Sequence, residues 1–313
     1  MINLLTPEFL FTVIRVTTPI LLAAMAAVIC TKAGVINIAL EGIMLTSALT
    51  GVLVSGFTQN IWLGALGGIA GGVFIAFLLA YFALYLKTDI ILGGIALNLL
   101  TVGGTVFVMF AITGDKGATN SVRSLQFPTV NIPFIQDIPI LGKMLSGHNL
   151  LTYLAILMVF LVFFLLYKTT FGLRLRAVGE NPDAASSVGI DVNRVQLYAL
   201  LLSGVIASFG GMYMSMAYLR LFTTNMVAGR GYIALAAAAM GQANPVGTGI
   251  AALLFGFMES FGYQLQSRGI PSQFINMVPY VSTIIGLVLY AQYRQRQIMK
   301  KKNQKIHEEE VKA

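Results

Sequence analysis

Few side chains in this sequence could do chemistry, and most of those lie inside long apolar runs. In GVINIALEGIMLTSALTG, Asn37 and Glu41 stand four residues apart, a spacing that puts both on one face of a helix. A carboxylate at the centre of a bilayer costs about 2.5–3.5 kcal/mol on insertion scales, so Glu41 must face protein or water. The two residues are either a buried polar tie between helices or contacts along a path or gate. Asn98 in LGGIALNLLTVGG and Asn276 in QFINMVPY pose the same choice. Glu259 is a second acid within an apolar run, near its outer end.

Several chemistries are missing. No GxxxxGK[ST] occurs, so the chain carries no nucleotide loop of its own. His148 and His307 are too far apart to suggest a metal site, and His148 reads as a loop histidine at a membrane edge. Neither G-x-S-x-G nor H-E-x-x-H is present. Cys30, the single cysteine, cannot close an intrachain disulfide and reads as a small packed hydrophobe. Proton-driven carriers need intramembrane acid or histidine relays, and two isolated carboxylates make a poor one. The expectation is a protein with no catalytic residues, metal or cofactor.

The elements that must position these residues follow from composition. The chain of 313 residues is 57% hydrophobic and 10% charged, which cannot cover a soluble domain of this length. About 20 apolar residues cross a bilayer core as a helix. Candidate spans lie at 8–31, 34–57, 61–86, 90–112, 149–167, 195–219, 230–243, 247–267 and 273–292. The fold class is therefore all-α, a polytopic helix bundle of about nine transmembrane helices, with eight to ten as the range. Span 230–243 is short and is followed by the breaker-rich QANPVGTG, so it can be broken or re-entrant. Span 34–57 carries the same doubt, because it begins with Asn37 and Glu41. MINLLTPEF has no basic region before its first apolar run, so a retained first helix is expected rather than a cleaved signal peptide.

Residues 1–293 read as one membrane domain and 294–313 as a basic tail touching anionic lipid. The EEE that follows the lysines argues against a nucleic-acid arm. Counting basic residues orients the chain, with the tail, 168–194, Lys32 and Lys87 on one side. Thirteen of the 20 lysines and arginines fall there, against six outside that include Arg230; Arg15 lies within the first span. The expected topology is N-terminus outside and C-terminus in the cytoplasm. The polar stretch 113–148 becomes an ordered external loop, with a short re-entrant helix at 138–145. Gly64, Gly68 and Gly72 at spacing four, and Ser203, Ala207 and Gly211, let helix backbones approach closely.

One polar segment, RLRAVGENPDAASSVGIDVNR at 174–194, interrupts two uncharged runs. Asn181 is a good N-cap and Pro182 suits the first helical position. Asp183 complements the helix dipole, Ala184 and Ala185 are strong helix formers, and Gly189 can close the helix. A helix of about seven residues, some 10 Å long, results. Its small side chains suit either an interfacial loop helix or a lever docking in a cytoplasmic groove.

GENPDAASSVGIDVNRVQLYALLLSGVIASFGGMY resembles the cytoplasmic loop and following helix of permeases from bacterial ABC importers, in the branch of branched-chain amino acid, ribose-type sugar and nucleoside systems. GVINIALEGIMLTSALTG at 34–51 resembles that branch's early signature, and GRGYIALAAAAMGQANPVGTGIAALLFG at 229–256 its late block. The resemblance implies a permease of the larger importer class, paired with a second permease, cytoplasmic ATPase subunits and an extracytoplasmic binding protein. It makes Glu180, Asn181, Pro182, Asp183, Ala184, Ala185, Gly189 and Ile190 an ATPase-coupling set. The amino acid members carry a Phe-Ala-His-Gly pattern where this chain has Asn37-Ile38-Ala39-Leu40-Glu41-Gly42. That looks like the nucleoside permeases served by a basic-membrane-protein-type lipoprotein; a sugar or branched-chain amino acid importer and a self-sufficient carrier are the alternatives. Gln242 and Ala243 stand where many relatives have a basic residue and an aromatic.

Overall fold

The computed structural model describes residues 6–131, 142, 144, 146–266, 281, 286, 288 and 292. Among them, seven helices are long and apolar enough to cross a membrane. In chain order the helices are α1 (Pro7–Lys32), α2 (Leu40–Thr58), α3 (Ile61–Ala80), α4 (Ile90–Thr113), α5 (Leu150–Lys168), α6 (Thr170–Glu180), α7 (Pro182–Ser187), α8 (Val192–Met212), α9 (Arg230–Met240) and α10 (Pro245–Gln266). Helices α3 and α8 end in widened π turns, Tyr81–Tyr85 and Tyr213–Tyr218. Asn276, the tail 294–313, most of the expected span 273–292 and most of the expected helix at 138–145 lie outside the described residues.

Helix α1 is the hub. Every residue from Ile20 to Cys30 is buried, as expected of a helix apolar on all sides at the centre of a bundle. Around it the helices alternate in direction. Phe9 meets Phe257 edge-on at 5.4 Å, Gly256 backs onto Thr17, and Gly249 onto Leu21, so α1 and α10 are antiparallel. The glycine seam does what its spacing implied. A Cβ on Gly72 would come within 2.0 Å of Ser208 Oγ, and one on Gly211 within 2.0 Å of the Met44 carbonyl oxygen. Backbones that close need glycine on at least one side.

Two expected spans are not continuous helices. Helix α9 has 11 residues, about 17 Å of rise, roughly half a bilayer core. Arg230 at its start lies beside Glu259, and Gly241 at its end abuts Thr248, so α9 runs antiparallel to α10. The stretch 219–229 completes that crossing without helix; it contains left-handed Arg220, Asn225 and Ala228, with Gly229 at φ +82°. Helix α2 likewise begins at Leu40 rather than 34. Asn37 therefore sits in a non-helical link, and the helical register that would have put it on one face with Glu41 does not exist.

At one end of the bundle the loop after α4 is held down. Residues Ala118 and Thr223 form an isolated bridge, the Phe127 N–H donates to the Met216 carbonyl, and β1 (Thr129–Val130) pairs antiparallel with β2 (His148–Asn149). The opposite end carries Lys32, the turn after α3, and α6–α7.

Candidate functional site

Where α2 begins, Glu41 points across the bundle at the start of α9. Its Oε1 accepts the Gly229 N–H at 2.7 Å and its Oε2 the Gly231 N–H at 2.8 Å. Both donors belong to the first turn of a helix, whose N–H groups have no partners within it, and the dipole there favours an anion. Gly231 is required by contact: a Cβ would stand 2.6 Å from the Glu41 nitrogen and 2.8 Å from its Cα. Gly229 supplies the left-handed turn that opens α9.

Between them, Arg230 turns to α10. It ion-pairs with Glu259 and donates to the Tyr263 hydroxyl at 2.9 Å, and that hydroxyl in turn donates to Glu259 Oε1 at 2.8 Å. The Arg230 and Glu259 side chains are only 13% and 8% exposed, so Arg230 is not one of the outer-loop cations that the charge count assumed. Isolated charges at this depth would be costly, and their pairing answers that cost.

Asn98, on α4, ties three strands of chain together. Its carbonyl accepts the Gly42 N–H at 2.8 Å, and its amide donates to the Ile38 carbonyl and the Tyr232 hydroxyl, each at 2.9 Å. Asn37 lies apart from this group and donates to Ser203 Oγ at 2.9 Å, fastening the α1–α2 link to α8. The structure thus brings Glu41 and Asn98 to one place and sends Asn37 elsewhere.

Glu41, Asn98, Arg230, Tyr232, Glu259 and Tyr263 wall a cavity of about 620 Å³, within the usual range of small-molecule sites, about 300–1,000 Å³. Its fourth side is α4, whose Ile95, Leu99 and Val102 are exposed. The residues that sequence reading passed over are Arg230, Tyr232 and Tyr263. Their signals were an arginine between two glycines within an apolar block, and a tyrosine four residues after Glu259.

The polar segment folds as capped helices at the opposite end. Asn181 Oδ1 accepts the Ala184 N–H at 3.0 Å, Pro182 opens α7, and Gly189 closes the turn at φ +83°. Glu180, Asn181, Pro182, Asp183 and Ala184 are exposed, and Ile190 is half-buried. Ala185 is 4% exposed and is covered by its own chain, so any outward docking face consists of its neighbours. Val188, 76% exposed, is an apolar knob beside them that the sequence did not single out. Gly179 seats the segment on α1, where a Cβ would come within 2.2 Å of the Lys32 carbonyl oxygen. Eight residues separate Lys32 from Glu41, so the segment and the cavity share one short link.

Residues 9–292 match the family described as branched-chain amino acid transport system / permease component. The chain is 36% identical to the guanosine ABC transporter permease protein NupQ of Bacillus subtilis, covering 86% of this chain and 87% of that one. It is 35% identical to the nucleoside ABC transporter permease protein NupC of Lactococcus lactis, over 88% and 89%. A putative glucose ABC transporter permease protein of Haloferax volcanii, TsgC13, is 33% identical over 81% and 76%. Among solved structures, an inward-facing putative metal-chelate type ABC transporter superposes with a TM-score of 0.50 at 16% identity, covering 88% of this chain and 85% of that one, which speaks for the fold alone.

Proposed function

Since the chain belongs to the family of branched-chain amino acid transport system permease components, we propose that it is the membrane permease subunit of an ATP-driven importer and that its cargo is nucleosides. The observation that carries the transport reading is the cavity inside an apolar bundle, walled by paired and hydrogen-bonded polar groups. Ionisable groups inside a membrane bundle are rare and, when they border a cavity, mark a substrate or ion pathway. The nucleoside assignment is supported by the two relatives at 35–36% identity named for guanosine and nucleosides.

The cavity would become a path when a second permease covers the exposed α4 side. ATP would be hydrolysed by separate cytoplasmic subunits, against which α6–α7 would dock. An extracytoplasmic binding lipoprotein would deliver the nucleoside to the end formed by the loop after α4. Movement of α6–α7 would pass through the Gly179–Lys32 contact to the link that ends at Glu41, the residue holding α9 in place. In this reading Asn98 and Glu41 border the path, while Asn37 anchors the link. Asn276 remains a path candidate from sequence.

Uptake of labelled guanosine, glucose and branched-chain amino acids in a deletion strain and its complemented parent tests this directly. Loss and restoration of guanosine uptake alone is expected. Loss of glucose or amino acid uptake instead would reassign the cargo, and gradient-driven uptake by the purified chain alone would replace the importer with a carrier.

A further inference from the structure

Some of the cavity wall is not used to hold the bundle together. Glu259 gives Oε1 to Arg230 and Tyr263, while its buried Oε2 has no hydrogen-bond partner among the described residues. Tyr232 accepts a hydrogen bond from Asn98 and keeps its own hydroxyl proton for another acceptor. Tyr232 and Tyr263 belong to the same wall and are 44% and 40% exposed as whole residues, although their hydroxyls are engaged with Asn98, Arg230 and Glu259. A spare carboxylate oxygen asks for an N–H or O–H donor, and exposed tyrosine faces suit a flat ring.

We propose that this cavity is a transit site specific for the uncharged nucleoside. The nucleobase lies against the Tyr232 and Tyr263 rings, and one N–H or O–H of the nucleoside donates to Glu259 Oε2. The proposal rests on the nucleoside reading above and adds the residues that would select the cargo. A free sugar could use the acceptor but has no flat π-face for the rings. A nucleotide would bring a phosphate to a wall holding Glu41 and Glu259 against the single guanidinium of Arg230, which is already paired. Like charges that close together in a poorly hydrated site repel strongly.

The test uses the complete transporter, with its ATPase subunits, second permease and binding lipoprotein, in proteoliposomes. Tyr232→Leu is expected to lower guanosine uptake at sub-saturating concentration at least tenfold, and Glu259→Gln by a similar factor. Tyr198→Leu, on the exposed face of α8 away from the cavity, serves as the unchanged control. Uptake within twofold of wild type for both cavity variants overturns the proposal while leaving the importer intact. Because Glu259→Gln also removes the partner of Arg230, a second measurement reads the site itself. Ile95→Cys, which lines the cavity and leaves both tyrosines and Glu259 in place, is labelled in a Cys30→Ala background with a small maleimide during turnover. Guanosine is expected to slow labelling at least threefold, and guanosine monophosphate to leave it unchanged. Equal rates with and without guanosine, or protection by the monophosphate, sink the assignment. A wild-type transporter that takes up no nucleoside fails at the earlier step, which separates the two readings.

Discussion

The Glu41 carboxylate accepts the backbone N–H of Gly231 at 2.8 Å, across 190 positions of sequence, and so fastens the first turn of α9 to the first turn of α2. That contact, with its twin at Gly229, fixes where the half-helix sits in the membrane. Glu41→Ala would leave two buried donors without an acceptor, each worth about 1–3 kcal/mol. Glu41→Gln keeps an acceptor and should cost clearly less. Thermal unfolding of the two purified variants in detergent measures the difference. Equal midpoints would show that the carboxylate is not the clasp described.

The glycine seam makes a differential forecast. Gly211→Ala places a methyl 2.0 Å from a backbone carbonyl that cannot turn aside, whereas Gly68→Ala meets chiefly the Met212 side chain, 2.2 Å from its sulfur and 2.6 Å from its Cγ, which can shift more readily than backbone. Overpacking costs about 1–3 kcal/mol where nothing yields. Membrane abundance should therefore fall more for Gly211→Ala than for Gly68→Ala. The reverse order would refute the packing read from these contacts.

In the polar segment, the informative variant is Ala184→Arg. Ala184 is exposed and Ala185 is not. Ala184→Arg should insert normally and lose the ATPase on co-purification, while Ala185→Arg should lose abundance, since an unpaired charge would be forced against its own chain. Asn181→Ala removes a cap worth about 1 kcal/mol and should weaken ATPase recovery more mildly. Full recovery with Ala184→Arg would reduce α7 to an ordinary surface helix.

Orientation can be read with thiols. The native Cys30 is buried and should stay silent. Ser187→Cys should resist a membrane-impermeant maleimide in intact cells, and Asn60→Cys, at the opposite end of the bundle, should react. Labelling of position 187 in sealed cells would invert the topology.

His148 gives a pH dependence. Its ring stacks on Phe11 at 3.9 Å and its Nε2–H donates to the Met144 carbonyl at 2.9 Å. Burial, opposed by that hydrogen bond and helped by the charge of Arg15, holds its pKa below the ordinary 6.5. The fold thus favours the neutral ring. The associated stability is complete above pH 6.5 and is lost as pH falls through the depressed value. Melting midpoints from pH 8 to 5 should fall more steeply for wild type than for His148→Phe, and parallel slopes would rule the effect out.

Much of this was legible before any coordinates. Spans at 61–86, 90–112 and 149–167 match α3 with its π turn, α4 and α5 to within a residue or two, because a bilayer demands uninterrupted apolar helices. The Asn181 cap and the Gly189 turn are local geometry and were found from spacing alone. The half-helix α9 was only suspected, since an apolar run does not reveal whether the chain before it descends as helix or as loop.

What the sequence determined by itself was the set of elements: apolar helices, close-packing glycines, capped polar segment and the rarity of buried acids. Those are properties of a residue and its near neighbours in a hydrocarbon solvent. Which acid meets which partner was decided by the tertiary structure. Asn37 and Glu41 look like one site along the chain, yet the break before Leu40 sends Asn37 to Ser203 and Glu41 to Gly229 and Gly231. Arg230 looks like a loop cation, yet the antiparallel return of α10 delivers Glu259 and Tyr263 to it. Hydrogen bonds and ion pairs act over about 3 Å, and no spacing rule covers partners separated by a whole bundle; only the packing of α1, α2, α9 and α10 brings those atoms within reach.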